Sequence, residues 1–261
     1  MDKTIIALGL MSGTSMDGID ASIIKSDGEE NIEIIGNLYL KYDLRLKNKL
    51  QNFCKKINCR EDITNNQDYY DDLERELTIK HADITNKICK KFNVKPYLIG
   101  FHGQTIIHKP SEYYSIQMGN GRLLAQLSNT NVVYQFRKKD LENGGEGAPL
   151  TPIYHYNIGK KLPIEKALLF LNIGGIANYT FCDGENLYAR DAGPGNCLMD
   201  SYIKETTKFD YDKDGIIAAS GKVDNTLINN ILDHNYYNSI EQNSFDIRDF
   251  DINFVKGLSK E

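Results

Sequence analysis

Gly9-Leu10-Met11-Ser12-Gly13-Thr14-Ser15-Met16-Asp17-Gly18-Ile19-Asp20 is the stretch that decides the fold. Residues 4–11 form an apolar run of strand length, and residues 21–25 read as a second strand behind it. Between them lies a turn rich in Gly, Ser and Thr. Such a turn aims several backbone N–H groups at one anion, and its hydroxyls add donors. The same residue types build any tight hairpin turn. The segment alone therefore leaves phosphate binding and simple chain reversal both open. Asp27-Gly28 is a second tight-turn signal, and residues 32–40 complete three strands. This is an antiparallel meander and not the opening of a Rossmann fold.

Working outward, Leu73, Leu77, Ile84, Ile88 and Phe92 recur at intervals of four and seven, the spacing of one buried helical face. Strands are expected at 97–101, 115–118 and 132–136, with a helix around Leu123, Leu124 and Leu127. Gly144-Gly145-Glu146-Gly147-Ala148-Pro149 is a loop by composition. The pattern then restarts with strands at 167–173, 177–182 and 187–190. The first turn of this second meander is Gly174-Gly175, and Asp183-Gly184-Glu185-Asn186 stands where Asp27-Gly28-Glu29-Glu30 stood before. The expectation is an α/β fold made of a duplicated β-β-β-α-β-α unit with a cleft between the copies, divided into domains 1–145 and 146–261. Helices are expected at 196–207 and 223–232. The polar tail 235–261 offers no clear strand, so the second copy is expected to lack its closing strands.

Composition narrows the function classes. The formal net charge is −5 and no block of Lys or Arg stands out, which argues against duplex nucleic acid as a partner. The longest apolar runs are too short to span a bilayer, and the N-terminus lacks the pattern of a secretory signal. A cytoplasmic location is expected. Cys54, Cys59, Cys89, Cys182 and Cys197 are odd in number and form no C-x-x-C pair, so free thiols are expected and a zinc site is not.

Four segments carry candidate chemistry. In the first turn, Asp17 sits where it can hold Mg²⁺ through water. Asn172-Ile173-Gly174-Gly175-Ile176-Ala177-Asn178 is the matching turn of the second copy, and two such turns facing each other can clamp a polyphosphate. In Asp191-Ala192-Gly193-Pro194-Gly195-Asn196 an acidic residue ends a strand before a bend that opens a helix. That carboxylate can serve as a general base, and the glycines free N–H groups near the helix start. His102 and Gln104 follow a buried strand and are placed to hydrogen-bond a sugar.

The motifs Ser-Gly-Thr-Ser-Met-Asp-Gly, His-Gly-Gln-Thr, Gly-Ala-Pro-Leu-Thr-Pro, Asn-Ile-Gly-Gly-Ile-Ala-Asn and Asp-Ala-Gly-Pro-Gly-Asn occur in this order. Together they resemble the 1,6-anhydro-N-acetylmuramic acid kinases, a family of the actin-like ATPase (ribonuclease H-like) and sugar-kinase superfamily. The resemblance implies an ATP- and Mg²⁺-dependent phosphotransferase of peptidoglycan recycling. Water opens the 1,6-anhydro bridge of the amino sugar while the γ-phosphoryl of ATP goes to O6, giving N-acetylmuramic acid 6-phosphate. It implies Asp191 as the catalytic base. Gly13, Thr14, Ser15, Met16, Asp17, Gly18, Ile19 and Asp20, with Asn172, Gly174 and Gly175, fall on the ATP-phosphate segments, Asp17 also facing the metal. Ser12, His102, Gln104, Gly147, Ala148, Pro149 and Asn196 fall on the sugar side.

The chain departs from the family pattern at Glu146, where Gln is usual, and at Ala192, where Thr is usual. Asn243-Ser244-Phe245-Asp246-Ile247-Arg248-Asp249 is a loose match to a Lys-Ser-Thr-Gly-Arg-Glu-like stretch. Family members continue past the position of Glu261 with an adenosine-binding Gly-Gly-Gly segment. The chain is accordingly expected to be truncated in its C-terminal domain. A homodimer or a complementing C-terminal fragment is then an expected partner, and an impaired remnant that binds sugar or nucleotide weakly is the alternative.

Overall fold

The computed structural model describes residues 4–163, 167–226, 228–229, 244–247 and 250. The chain divides into two compact units, Met1–Gly147 and Ala148–Glu261.

In the first unit the strands β1 (Ile5–Ser12), β2 (Gly18–Ser26) and β3 (Ile32–Lys41) form an antiparallel meander. Three helices follow, α1 (Leu44–Cys54), α2 (Arg60–Thr64) and α3 (Gln67–Phe92). Then come β4 (Leu98–Lys109), β5 (Tyr114–Met118), α4 (Gly121–Ser128), β6 (Asn131–Tyr134) and α5 (Lys138–Glu142). The sheet runs β3-β2-β1-β4-β5, with β6 also on β4. β4 lies parallel to both β1 and β6, so these three strands end on the same side.

Alternation along β1 and β2 buries Leu8, Leu10, Ile19, Ala21 and Ile23 on one face. Against that face pack Leu46, Leu50 and Phe53 of α1 and the helical stripe Leu73, Leu77, Ile84 and Ile88 of α3. Each such side chain contributes roughly 1.5–3 kcal/mol on burial. Asp43 starts α1 by accepting the Leu46 N–H at 2.9 Å. Asn93 ends α3 in the left-handed region.

The second unit holds α6 (Pro152–Gly159), β7 (Leu168–Ile173), β8 (Ile176–Cys182), β9 (Leu187–Pro194), α7 (Cys197–Thr206) and α8 (Ile216–Ser220). β7-β8-β9 is a second antiparallel meander. His155 anchors α6 beneath it, stacked on Phe170 at 4.9 Å and 2.8 Å from the Thr180 hydroxyl. The β2–β3 and β8–β9 turns use the same device, an Asp carboxylate capping the N–H groups that follow it, in turns that differ by one residue in length. Asp27 Oδ1 accepts the N–H groups of Glu29 and Asn31, both at 2.9 Å. Asp183 Oδ1 accepts those of Glu185 and Asn186, at 3.1 and 2.7 Å. Gly28 and Gly184 carry φ of +81° and +96°, a region open to glycine at no steric cost.

Besides β2, which starts three residues early at Gly18, two strands run well past their sequence-based expectation. β4 continues to Lys109 because β5 pairs with it, so His102 and Gln104 lie within a strand and not after one. β9 continues to Pro194 because Asn178, Ala177 and Ile176 pair with Asp191, Gly193 and Pro194, so Asp191 sits inside a strand. β6 is shorter than expected, ending before Gln135, which takes φ of +59°. Helices α1, α2, α5, α6 and α8 have no counterpart in the sequence reading. The expected helix at 223–232, the tail 235–261 and the loose match at 243–249 lie largely outside the described residues. The five cysteines are free thiols, Cys182 and Cys197 buried and the rest half-buried. Among the described residues no helix is long and apolar enough to cross a membrane.

Candidate active site

The turn between β1 and β2 is held from beneath by side chains. Gln104, fully buried on β4, is in register with Ser12 on β1. Its Oε1 accepts the Ser12 hydroxyl at 2.7 Å, and its Nε2 donates to the Gly13 carbonyl at 3.0 Å and the Thr105 carbonyl at 3.3 Å. Tyr42, at the end of β3, donates its phenol to Ser12 Oγ at 2.9 Å and its backbone N–H to the Asp17 carbonyl at 2.9 Å. The Gly13 carbonyl also accepts the Met16 N–H at 3.1 Å, closing the turn. Met16 stands at φ of +52°, an uncommon conformation for a side chain other than glycine. Thr14 and Ser15 are exposed at the tip.

Asp17 Oδ1 accepts the Ser15 hydroxyl at 2.7 Å. Loss of solvent, then the neighbouring Asp17 charge, raises the carboxyl of Asp20 above its ordinary range. Among the described residues no three His, Cys, Asp or Glu side chains gather into a cage of protein ligands. Mg²⁺ bound through phosphates needs only one or two carboxylates, and Asp17 and Asp20 are the acidic side chains at this turn.

His102 is buried, and both its ring nitrogens are engaged. Nδ1 lies 2.8 Å from the Gly103 carbonyl and must donate to it. Nε2 is therefore an acceptor, and it takes the Arg137 guanidinium at 3.0 Å from Nη2 and 3.3 Å from Nε. Burial first, and then the Arg137 charge, lowers the imidazole to about 4, so it is neutral near pH 7. Arg137 Nη1 donates to the Gly147 carbonyl at 2.6 Å, and Asp140 Oδ2 accepts the Gly147 N–H at 2.7 Å. His102, Arg137, Asp140 and Gly147 thus form one chain of contacts. Ala148 and Pro149, joined by a cis peptide bond, belong to the second unit.

In the second unit the turn between β7 and β8 is held mainly by backbone N–H groups. The Gly174 carbonyl accepts the Asn196 N–H at 2.7 Å. The Gly175 carbonyl accepts Gly195 and Cys197 at 3.0 and 3.2 Å. Asn196 Nδ2 adds a contact of 3.3 Å to the Ile173 carbonyl. The structure thus joins the Asn172–Gly175 and Asp191–Asn196 segments. It also narrows an expectation: the N–H groups of Gly195, Asn196 and Cys197 are spent on this turn and are not free for an anion. Asp191 is buried, and its Oδ2 accepts the Phe245 N–H at 2.8 Å.

Sequence reasoning missed Tyr42, Arg137, Asp140 and the Phe245 N–H. A usable signal existed for Arg137. It follows β6, and ligand sites in open α/β sheets lie beyond the carboxyl ends of parallel strands.

The model of the family "Anhydro-N-acetylmuramic acid kinase" matches residues 5–259. The anhydro-N-acetylmuramic acid kinase of Pelagibacter ubique (strain HTCC1062) is 47% identical over 266 residues, covering 100% of this chain and 71% of the relative. The proteins of the same name from Rhizobium etli and Rhodospirillum rubrum are 38% and 36% identical. Those matches cover 96% and 99% of this chain and 69% and 68% of the relatives. The mixed α/β structure is consistent with the fold of sugar kinases and actin-like proteins. These relatives all carry the kinase name, and the alternative of an impaired remnant is not favoured. The chain belongs to the anhydro-N-acetylmuramic acid kinase family.

Proposed function

We propose that the protein uses ATP and water to convert 1,6-anhydro-N-acetylmuramic acid to N-acetylmuramic acid 6-phosphate in the cytoplasm. The observation that carries this reading is Asp191, a buried carboxylate on β9 that accepts the Phe245 backbone N–H, in a chain of this family. Asp191 takes a proton from water as the water oxygen bonds to the anomeric carbon. The bond from that carbon to O6 breaks, and O6 takes the γ-phosphoryl group as ADP leaves. The proton on Asp191 then returns to solvent.

Gly13, Thr14, Ser15, Met16, Asp17, Gly18, Ile19 and Asp20, with Asn172, Gly174 and Gly175, are assigned to the phosphates. Asp17, beside Asp20, would hold Mg²⁺, which would neutralise the phosphate charge. His102, Gly147, Ala148, Pro149 and Asn196 are assigned to the sugar side; the motif also places Ser12 and Gln104 there, although both are buried and spend their polar groups inside the first unit. The paired Asp-Gly turns of the two meanders support reading the fold as a duplicated actin-like unit.

The test is direct. Purified protein is mixed with the anhydro sugar and ATP·Mg²⁺, and products are identified by mass spectrometry. Equal yields of ADP and the 6-phosphate, absent without either substrate or with the metal chelated, are expected. Well-folded protein that makes neither product contradicts the proposal.

A further inference from the structure

We propose that Gln104, braced by Tyr42 through Ser12, is a positioning residue that fixes the polarity of the phosphate turn and is not a sugar ligand. The inference rests on the kinase reading and assigns roles within it. Gln104 has no exposed surface. Its amide oxygen takes Ser12, and its amide nitrogen is shared between the Gly13 and Thr105 carbonyls. It presents nothing to a ligand.

Hydrogen direction through the network is set by its members. Ser12 Oγ has one proton, with Gln104 Oε1 at 2.7 Å and the Gly18 carbonyl at 3.1 Å as acceptors. The Gln104 amide must present its oxygen to Ser12 for its NH₂ to reach Gly13. The Tyr42 phenol completes the order by donating to Ser12. Proton donation therefore runs from Tyr42 to Ser12 to Gln104 to the Gly13 carbonyl.

The consequence lies at the tip of the turn. A trans peptide points its C=O and N–H in opposite directions. With the Gly13 carbonyl drawn inward by Gln104, the Thr14 N–H faces outward. No described residue accepts that N–H. A donor fixed outward in advance binds an anion without the cost of ordering it on arrival. Gln104 thus acts on ATP although its motif places it with the sugar.

The experiment measures ATP·Mg²⁺ and the anhydro sugar separately by calorimetry, in wild type, Gln104→Met and Tyr42→Phe. Gln104→Met keeps the volume, and Ser12 can still donate to Gly18. The ATP dissociation constant is expected to rise about tenfold in Gln104→Met and about threefold in Tyr42→Phe, the effect of losing one buried contact. The sugar constant should stay within about twofold in both. A rise for the sugar with ATP unchanged, or no change in either, overturns the inference. Equal losses for both ligands in Tyr42→Phe, which keeps its ring in place, also overturn it. Wild type that binds neither ligand refutes the kinase reading instead. The turn is then read from amide hydrogen exchange at Met16, whose N–H shares the Gly13 carbonyl. Exchange about tenfold faster in Gln104→Met supports the inference, and an unchanged rate overturns it.

Discussion

The two glycine turns have the same orientation problem and different solutions. In both, carbonyl oxygens are drawn back into the protein. The 13–17 turn does this with side chains from β4 and the end of β3, through Gln104, Ser12 and Tyr42. The 173–176 turn does it with the backbone N–H groups of Gly195, Asn196 and Cys197. A turn pinned by side chains can be loosened by deleting single polar atoms while the fold survives. A turn pinned by backbone is sensitive only to whatever stops the two segments approaching.

The comparison breaks most strongly under acid. His102 on β4 and the fully buried His81, packed edge to face on Phe101, are both lowered to about 4, in each case chiefly by burial. Their unfolded forms titrate near 6.5, so the unfolded chain binds more protons between those values. The stabilisation is fully present above about 6.5 and is lost as pH falls toward 4, at roughly 1.4 kcal/mol per pH unit for each imidazole. Both residues belong to the unit that holds the side-chain-pinned turn. The protection factor, exchange measured against the slower intrinsic exchange in acid, should therefore fall at Met16 before it does at Asn196 between pH 7 and 5. The reverse order contradicts this account.

Next in size is Gly195→Ala. A Cβ there collides with the Gly174 carbonyl oxygen, so the second turn must shift. A loss of about 1–3 kcal/mol in denaturant melts is expected, with the Asn196 amide losing protection and Met16 keeping it. Equal loss at both would mean that the turns are not independent.

Arg137→Met should cost about 1–3 kcal/mol, because it leaves the His102 Nε2 acceptor and the Gly147 carbonyl without this donor. It also lifts the His102 pKa toward its ordinary value, since the Arg137 charge helps to lower it. An NMR titration of the imidazole checks this. The smallest expected effect is that of Tyr42→Phe on stability, about 0.5–1.5 kcal/mol for one hydroxyl contact.

What the sequence revealed follows the same divide. The 13–17 turn, the two meanders and the Leu73-to-Ile88 stripe were legible because local residue types and spacing define them. The partners that pin the first turn were not. Gln104 lies 92 residues from Ser12, Tyr42 lies 30 away, and Arg137 lies 35 from His102. The pairing of β1 with β4 brings Gln104 to Ser12, the β1-β2-β3 meander brings Tyr42 there, and β6, which pairs with β4, leads to Arg137. The lengths of β4 and β9 were misjudged for the same reason, since each extension depends on a neighbouring strand. His102 and Gln104 were legible as important residues, while their work inside the protein required the structure.

The central claim is that Asp191 supplies the base for a kinase reaction built on these turns. The most direct test is the steady-state rate of 6-phosphate formation by Asp191→Asn against wild type, with ATP binding measured alongside. Asparagine keeps the shape and can still accept the Phe245 N–H, but it cannot take a proton from water. The account predicts a fall in kcat of about 10²–10⁴-fold with ATP affinity preserved. A variant that turns over within about threefold of wild type, well short of a general-base contribution, contradicts it.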